Sequence, residues 1–272
     1  MLDKIGIVKP VAHQSDAAIL EVTGLTVAYN GTRALDDVSF RLEAGERVAV
    51  VGPNGAGKST LFKVIAGVLE PTEGEVRVAG CSPRGHICIA YVPQRTDVDW
   101  AFPVTVEDVV MMGRFAKLGL LRRPGREDRD LVRRCLETVD LTAFARRQIS
   151  ELSGGQQQRM FIARALAQEA QLMLMDEPLS GLDIPAQDRI LEILDELRGS
   201  GVTVVVATHD LNQAADFFDR VLLLNHTLLG IGRPAEVFTA ANLQHAYGGH
   251  LRLIKTPEGL MMVDDTCCGG GR

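Results

Sequence analysis

Gly52-Pro53-Asn54-Gly55-Ala56-Gly57-Lys58-Ser59-Thr60 has the residue types and spacing to hold phosphate. It fits G-x-x-x-x-G-K-[ST], in which glycines let successive backbone N–H groups turn inward around phosphate oxygens. The start of a following helix adds its dipole. Lys58 supplies charge-assisted hydrogen bonds to the outer phosphates, typically about 1.5–3 kcal/mol. The Ser59 hydroxyl is the expected Mg²⁺ ligand. A second group is Asp176-Glu177-Pro178, directly after the apolar run Leu172-Met173-Leu174-Met175. Asp176 at the end of such a strand is placed to give Mg²⁺ an oxygen, and Glu177 to orient or deprotonate an attacking water. His209 holds the same relation to Val202–Ala207. A lone histidine is more often structural, but a donor at a core strand end can meet a γ-phosphate. Finally, Ser153-Gly154-Gly155-Gln156 opens an apolar helix, with Ser153 able to cap it and the glycines able to approach an anion.

These residues need elements to position them. Arg47–Val51 reads as a buried strand leading into the phosphate loop, and Leu61–Ala66 as the helix leaving it. Leu172–Met175, Val202–Ala207 and Val221–Leu224 are continuous apolar runs, the pattern of parallel strands covered on both faces. Between the first two, Pro185–Arg198 is an amphipathic helix with Ile190, Ile193, Leu194 and Leu197 on one face. Strand, helix, strand at these lengths predicts βαβ units and a mostly parallel sheet. Upstream, Leu20–Val22, Leu25–Tyr29 and Val38–Leu42 alternate, with a turn at Asn30-Gly31, and Glu75–Val78 is a further short strand. These form an antiparallel β subdomain. Tyr29 is either an ordinary strand aromatic or a platform for a stacked base. Ile87–Val92 is another strand, ending before Gln94. From there the pattern turns helical: Val106–Met112 and Glu127–Leu136 are joined by the exposed run Arg122–Arg126. The expected class is α/β, with a helical subdomain at about 94–168 inserted into the core. Residues 1–17 read as a lead-in, 18–250 as one nucleotide-binding domain, and 251–272 as an extension with no assigned role.

Composition narrows the function. A net charge of −6 with no basic run argues against a nucleic-acid partner. No apolar stretch reaches the ~18 residues of a membrane span, and Met1–Gly6 lacks the basic start of a signal peptide. Five scattered cysteines suit a reduced cytosolic compartment. Cys81, His86 and Cys88 lack a closed zinc-like ligand set, as does the pair Cys267-Cys268. A chain with one phosphate loop and a second anion-binding helix start is explained by a dimer in which each loop is closed by the partner's helix.

The phosphate loop, Gln94, Leu152-Ser153-Gly154-Gly155-Gln156, the acidic strand end, Ser180-Gly181-Leu182-Asp183 and His209 occur in an order that resembles the ATP-binding cassette family over about residues 19–247. The resemblance implies a head-to-tail homodimer with two ATP and Mg²⁺ at its interface. Lys58, Ser59 and Asp176 of one subunit would face Ser153 and Gly155 of the other. Tyr29 then matches the adenine-stacking aromatic, Gln94 the residue reporting metal and γ-phosphate to the helical subdomain, and Asp183 the loop crossing the interface. It further implies ATP hydrolysis at the cytoplasmic face of the membrane, with a multi-span permease docking near Gln94–Pro103. The sole tryptophan, Trp100, is either an anchor for that partner or packing beneath the helical subdomain. The wording from Val92 to Val109 resembles the ATPases of manganese, zinc and iron importers, which work with an extracytoplasmic substrate-binding protein. Two other classes compete with this reading. A soluble ATP-switched clamp would bring coiled-coil insertions or a second cassette, and a P-loop kinase would not require Leu152–Gln156.

Overall fold

The computed structural model describes residues 18–84, 88–118, 123–199, 201–248, 251–256 and 259–264. The lead-in, Ile87, Arg122, His86 and Cys267-Cys268 lie outside them.

Three strands build the antiparallel layer: β1 (Leu20–Tyr29), β2 (Thr32–Leu42) and, after the central strand, β4 (Glu73–Val78). They pair in the order β2-β1-β4. The β1–β2 turn forms because Asn30 and Gly31 both take positive φ (49° and 84°), as a primed two-residue hairpin demands. β1 is one strand rather than two, with its register shifting around Gly24, where φ is +58°.

The central sheet runs β5 (Ile89–Val92), β6 (Leu172–Asp176), β7 (Thr203–Thr208), β3 (Arg47–Val51), β8 (Arg220–Asn225) and β9 (Thr227–Gly232). All neighbours are parallel except β8–β9. β6 and β7 are buried along their whole length, which explains their uninterrupted Val, Leu and Met. The sheet divides two cores. One face carries Val48, Val50, Leu172, Leu174 and Leu222 against α1 (Lys58–Ile65) and the antiparallel layer. The other carries Ala49, Val51, Met173, Met175 and Val204 against the remaining helices.

Between β5 and β6 come α2 (Val106–Leu118), α3 (Arg126–Thr138) and α4 (Gly154–Gln168). α5 (Ile184–Arg198) joins β6 to β7, and α6 (Leu211–Phe217) joins β7 to β8. The short helices α7 (Pro234–Val237) and α8 (Ala240–Tyr247) follow β9. Two apolar pieces of the extension pair as an antiparallel hairpin, β10 (Leu251–Thr256) and β11 (Gly259–Asp264). Among the described residues no helix is long and apolar enough to cross a membrane.

Candidate functional site

The sheet register determines which residues meet. Val92 lies opposite Met175, Asp176 opposite Ala207, and Val51 opposite Thr208. Four strands therefore end in one row, delivering Gln94, Asp176-Glu177, His209 and the phosphate loop to a single edge. Ligands in open parallel sheets bind at the carboxyl ends of strands.

The phosphate loop is shaped by close main-chain approach. A Cβ on Gly52 would stand 2.0 Å from the Leu224 carbonyl oxygen, and one on Gly57 2.5 Å from that of Ala34. Gly57 also takes φ +96° at the start of α1. No side chain caps that helix, so its first N–H groups stay available to a ligand. Asn54 and Gly55 are exposed, Pro53 and Thr60 half-buried, and Ala56 buried. Lys58 is buried and its Nζ donates to the carbonyls of Gly52 (2.7 Å) and Pro53 (3.0 Å). Burial lowers its pKa, opposed by the carboxylates of Glu177 and Asp176.

Asp176 is buried, and burial pushes its carboxyl up; the Ser59 hydroxyl donates to it, and the charges of Glu177 and Asp97 push it higher against the pull of Lys58. A hydroxyl and a desolvated carboxylate are hard oxygen donors, and Mg²⁺ bound to nucleotide needs only one or two from the protein. The donor set fits that ion. Glu177 takes φ +47°, unusual for a non-glycine residue. Its N–H donates to Ala207 O (3.0 Å), and its Oε1 lies 3.5 Å from His209 Nδ1. Such strained backbone persists where the surroundings over-determine it. Here it turns Glu177 off the strand direction, toward an exposed imidazole. A cleft of about 160 Å³ runs beneath this pair, walled by Pro178, Ser180, Gln187 and Thr208.

Tyr29 is 45% exposed at the end of β1, opposite Thr32. Gln94 is half-buried and immediately precedes a single 3-10 turn, Arg95–Asp97. Ser153 caps α4: its N–H donates to Gln156 Oε1 (2.9 Å) and its Oγ accepts from Gln156 N (3.4 Å). The α4 start packs on the turn after β5 and on the segment leading into α5. A Cβ on Gly154 would stand 2.5 Å from Arg95 Nη1, the movable end of a side chain, and 3.0 Å from Leu182 Cδ2, and one on Gly155 2.8 Å from Ala186 Cβ. Asp183 is exposed at the start of α5, beside Ile184. Trp100 is half-buried and packs beneath the helical subdomain: it donates Nε1–H to Arg95 O (3.0 Å) and meets Phe161 of α4 edge-on at 5.7 Å. The exposed aromatic of this segment is Phe102. Among the described residues no cluster of three or more His, Cys, Asp or Glu is gathered that could hold a metal; the trio Cys81, His86 and Cys88 includes His86, which lies outside them.

Sequence reasoning missed His226, in the β8–β9 turn. Its N–H donates to Ala56 O of the phosphate loop (3.0 Å). Its contribution is made largely through main-chain atoms, which no motif records.

Fold and site together define a P-loop nucleotide-binding cassette. Residues 35–180 match the family model described as ABC transporter. The chain is 48% identical over 90% of its length, and 84% of the relative's, to the chelated iron transport system membrane protein YfeB of Yersinia pestis. It is 48% identical over 89% of its length, and 92% of the relative's, to the zinc transport system ATP-binding protein TroB of Treponema pallidum. Identity to the manganese transport system ATP-binding protein MntA of Synechocystis is 47%, covering 85% and 90%. Among solved structures, an inward-facing ABC transporter described as of the metal-chelate type aligns at TM-score 0.77 and 32% identity, covering 90% of this chain and 96% of that one. This protein belongs to the ABC transporter family, as one of its ATP-binding cassettes.

Proposed function

We propose that the chain is the ATP-hydrolysing subunit of an importer for manganese, zinc or iron, acting at the cytoplasmic face of the membrane through a partner permease. The observation that carries the mechanism is the division of anion-binding features within one chain. Lys58, Asp176, Glu177 and His209 share one sheet edge, while the α4 start packs on Arg95, Leu182 and Ala186. Two chains arranged head to tail complete each other's sites.

In this reading Tyr29 stacks on adenine, and Gly52, Pro53, Asn54, Gly55, Ala56 and Gly57 wrap the phosphates with their main chain. Lys58 leaves its carbonyl partners for the outer phosphates. Thr60 lies with the phosphate-binding residues, and Ser59, Asp176 and Gln94 would hold Mg²⁺. That ion, when bound, neutralises charge on the phosphate oxygens. Ser153, Gly154, Gly155 and Gln156 of the second subunit cover the terminal phosphate, and Asp183 crosses the interface. Glu177 accepts the proton of the attacking water, and His209, 3.5 Å from it, donates to the terminal phosphate. Closure of the dimer is transmitted from Gln94 to the helices α2–α4 and to a permease helix seated beside Phe102 and Pro103. An extracytoplasmic substrate-binding protein supplies the metal to that permease.

Metal as cargo rests on the names of the relatives. It is tested by elemental analysis of cells lacking the chain, complemented with the wild type or with Glu177→Gln. Lowered manganese, zinc or iron, restored only by the wild type, is the expected result. Unchanged metal content with an intact phenotype elsewhere would sink the metal reading and leave the ATPase standing.

A further inference from the structure

The proposed ATP site has two halves carried by different layers: Tyr29 at the end of β1 and the phosphate loop after β3. The two layers share an apolar core that includes Val27, Leu35, Leu61 and Phe62, and one residue adds polar bonds to both. His226 sits in the β8–β9 turn with φ +59°. Its N–H donates to Ala56 O of the loop (3.0 Å), and its carbonyl accepts from Asp36 N of β2 (2.9 Å). Its Nδ1 lies 3.2 Å from Ala34 O, also on β2. That same Ala34 oxygen walls Gly57, while the Leu224 oxygen, two residues before His226, walls Gly52. β2 in turn pairs with β1 up to Thr32 opposite Tyr29.

We propose that His226 is a positioning residue that sets the spacing between the adenine platform and the phosphate loop. One residue is bonded to both layers, and it adopts a left-handed backbone that non-glycine residues take infrequently. The Nδ1–H form of the ring donates to Ala34 O, so the side chain adds a third strut to the two main-chain ones. The consequence is specific. A ligand that spans both halves depends on His226, whereas one that engages the phosphate loop alone does not. This rests on the ATP-binding reading above, and the test separates the two.

The experiment is calorimetric titration of the full chain with Mg-ATP and, separately, with inorganic tripolyphosphate. His226→Gly keeps the left-handed backbone and both main-chain bonds but removes the imidazole strut. Loss of one such hydrogen bond predicts ATP affinity lower by roughly fivefold, with tripolyphosphate affinity unchanged. His226→Asn, which tolerates the same backbone and offers an amide donor, is expected near the wild type. Equal losses for both ligands in His226→Gly, or no loss for either, would overturn the proposal. Tyr29→Ala serves as the control for the platform. If it leaves the ATP-to-tripolyphosphate ratio unchanged, the platform assignment and the spacing role of His226 both fall, while ATP binding by the phosphate loop stands.

Discussion

The starts of α1 and α4 are both glycine-bordered, and they differ in what satisfies their backbone N–H groups. α1 begins at Gly57 with no side-chain cap, its approach set by carbonyls of β2 and β8. α4 begins at Ser153, closed by its own Gln156 through one good bond and one long one of 3.4 Å. The shape of the first start rests on Gly52 and Gly57, where any Cβ would collide with a main-chain carbonyl, and in the proposed reading it receives phosphate through main-chain N–H groups. The second is provisional, because a hydrogen bond that long is weak and is readily exchanged for a better acceptor. α4 is also held by side chains at its far end. Glu169, left-handed at φ +58°, accepts from Arg114 Nη1 (2.6 Å) and Lys117 Nζ (2.5 Å), and Arg114 Nε pairs with Asp128 (3.0 Å). A rigid half and a side-chain-held half suit a site that forms only when two chains meet.

The contrast can be broken at several points. Glu177→Gln is expected to lower ATP turnover by about 10²–10⁴-fold while leaving nucleotide binding intact; turnover at the wild-type rate would remove Glu177 as the base. Lys58→Ala attacks the rigid half. Losing bonds to charged phosphates at about 1.5–3 kcal/mol should weaken ATP binding roughly 10- to 100-fold in titration calorimetry. Unaltered affinity would mean that the phosphates sit elsewhere.

The helical half is probed through Glu169. Burial alone would raise its pKa, but Lys117 and Arg114 overcome that and hold it below the ordinary 4.5. A depressed carboxylate contributes stability that is present above its unfolded pKa and is lost as pH falls through the folded one. Glu169→Gln should therefore cost about 1–3 kcal/mol in urea unfolding at pH 7, with the gap to the wild type closing below about pH 4.5. A gap independent of pH would refute the ionic account. The smallest effect is expected for Tyr29→Ala. Loss of ring stacking at about 0.5–1.5 kcal/mol should weaken ATP binding roughly two- to tenfold, measured by the same titration.

Legibility in the sequence divided along the same line. The phosphate loop and the acidic strand end are contiguous runs attached to fully buried strands, so their type and place were readable before any coordinates. β9 was not, because Thr227–Gly232 is only half-buried and carries two glycines, leaving no alternation to see. The tie between Arg95, Gly154 and Leu182 was invisible for another reason: it joins residues 28 to 87 positions apart through packing alone. Glu177 was legible as a carboxylate, but its positive φ follows from the β6–β7 register and from Ala207, not from its neighbours in the chain. Trp100 showed that composition cannot distinguish an aromatic anchor from an aromatic brace, since both demand a large apolar ring.

The most direct test of the two-chain site is light scattering on Glu177→Gln with and without Mg-ATP, repeated with Ser153→Phe added. A monomer that becomes a dimer only with ATP, and fails to do so once Ser153 is replaced while still binding ATP, is the predicted result. A variant that stays monomeric with ATP bound, or dimerises equally well with Ser153 replaced, would contradict the shared site.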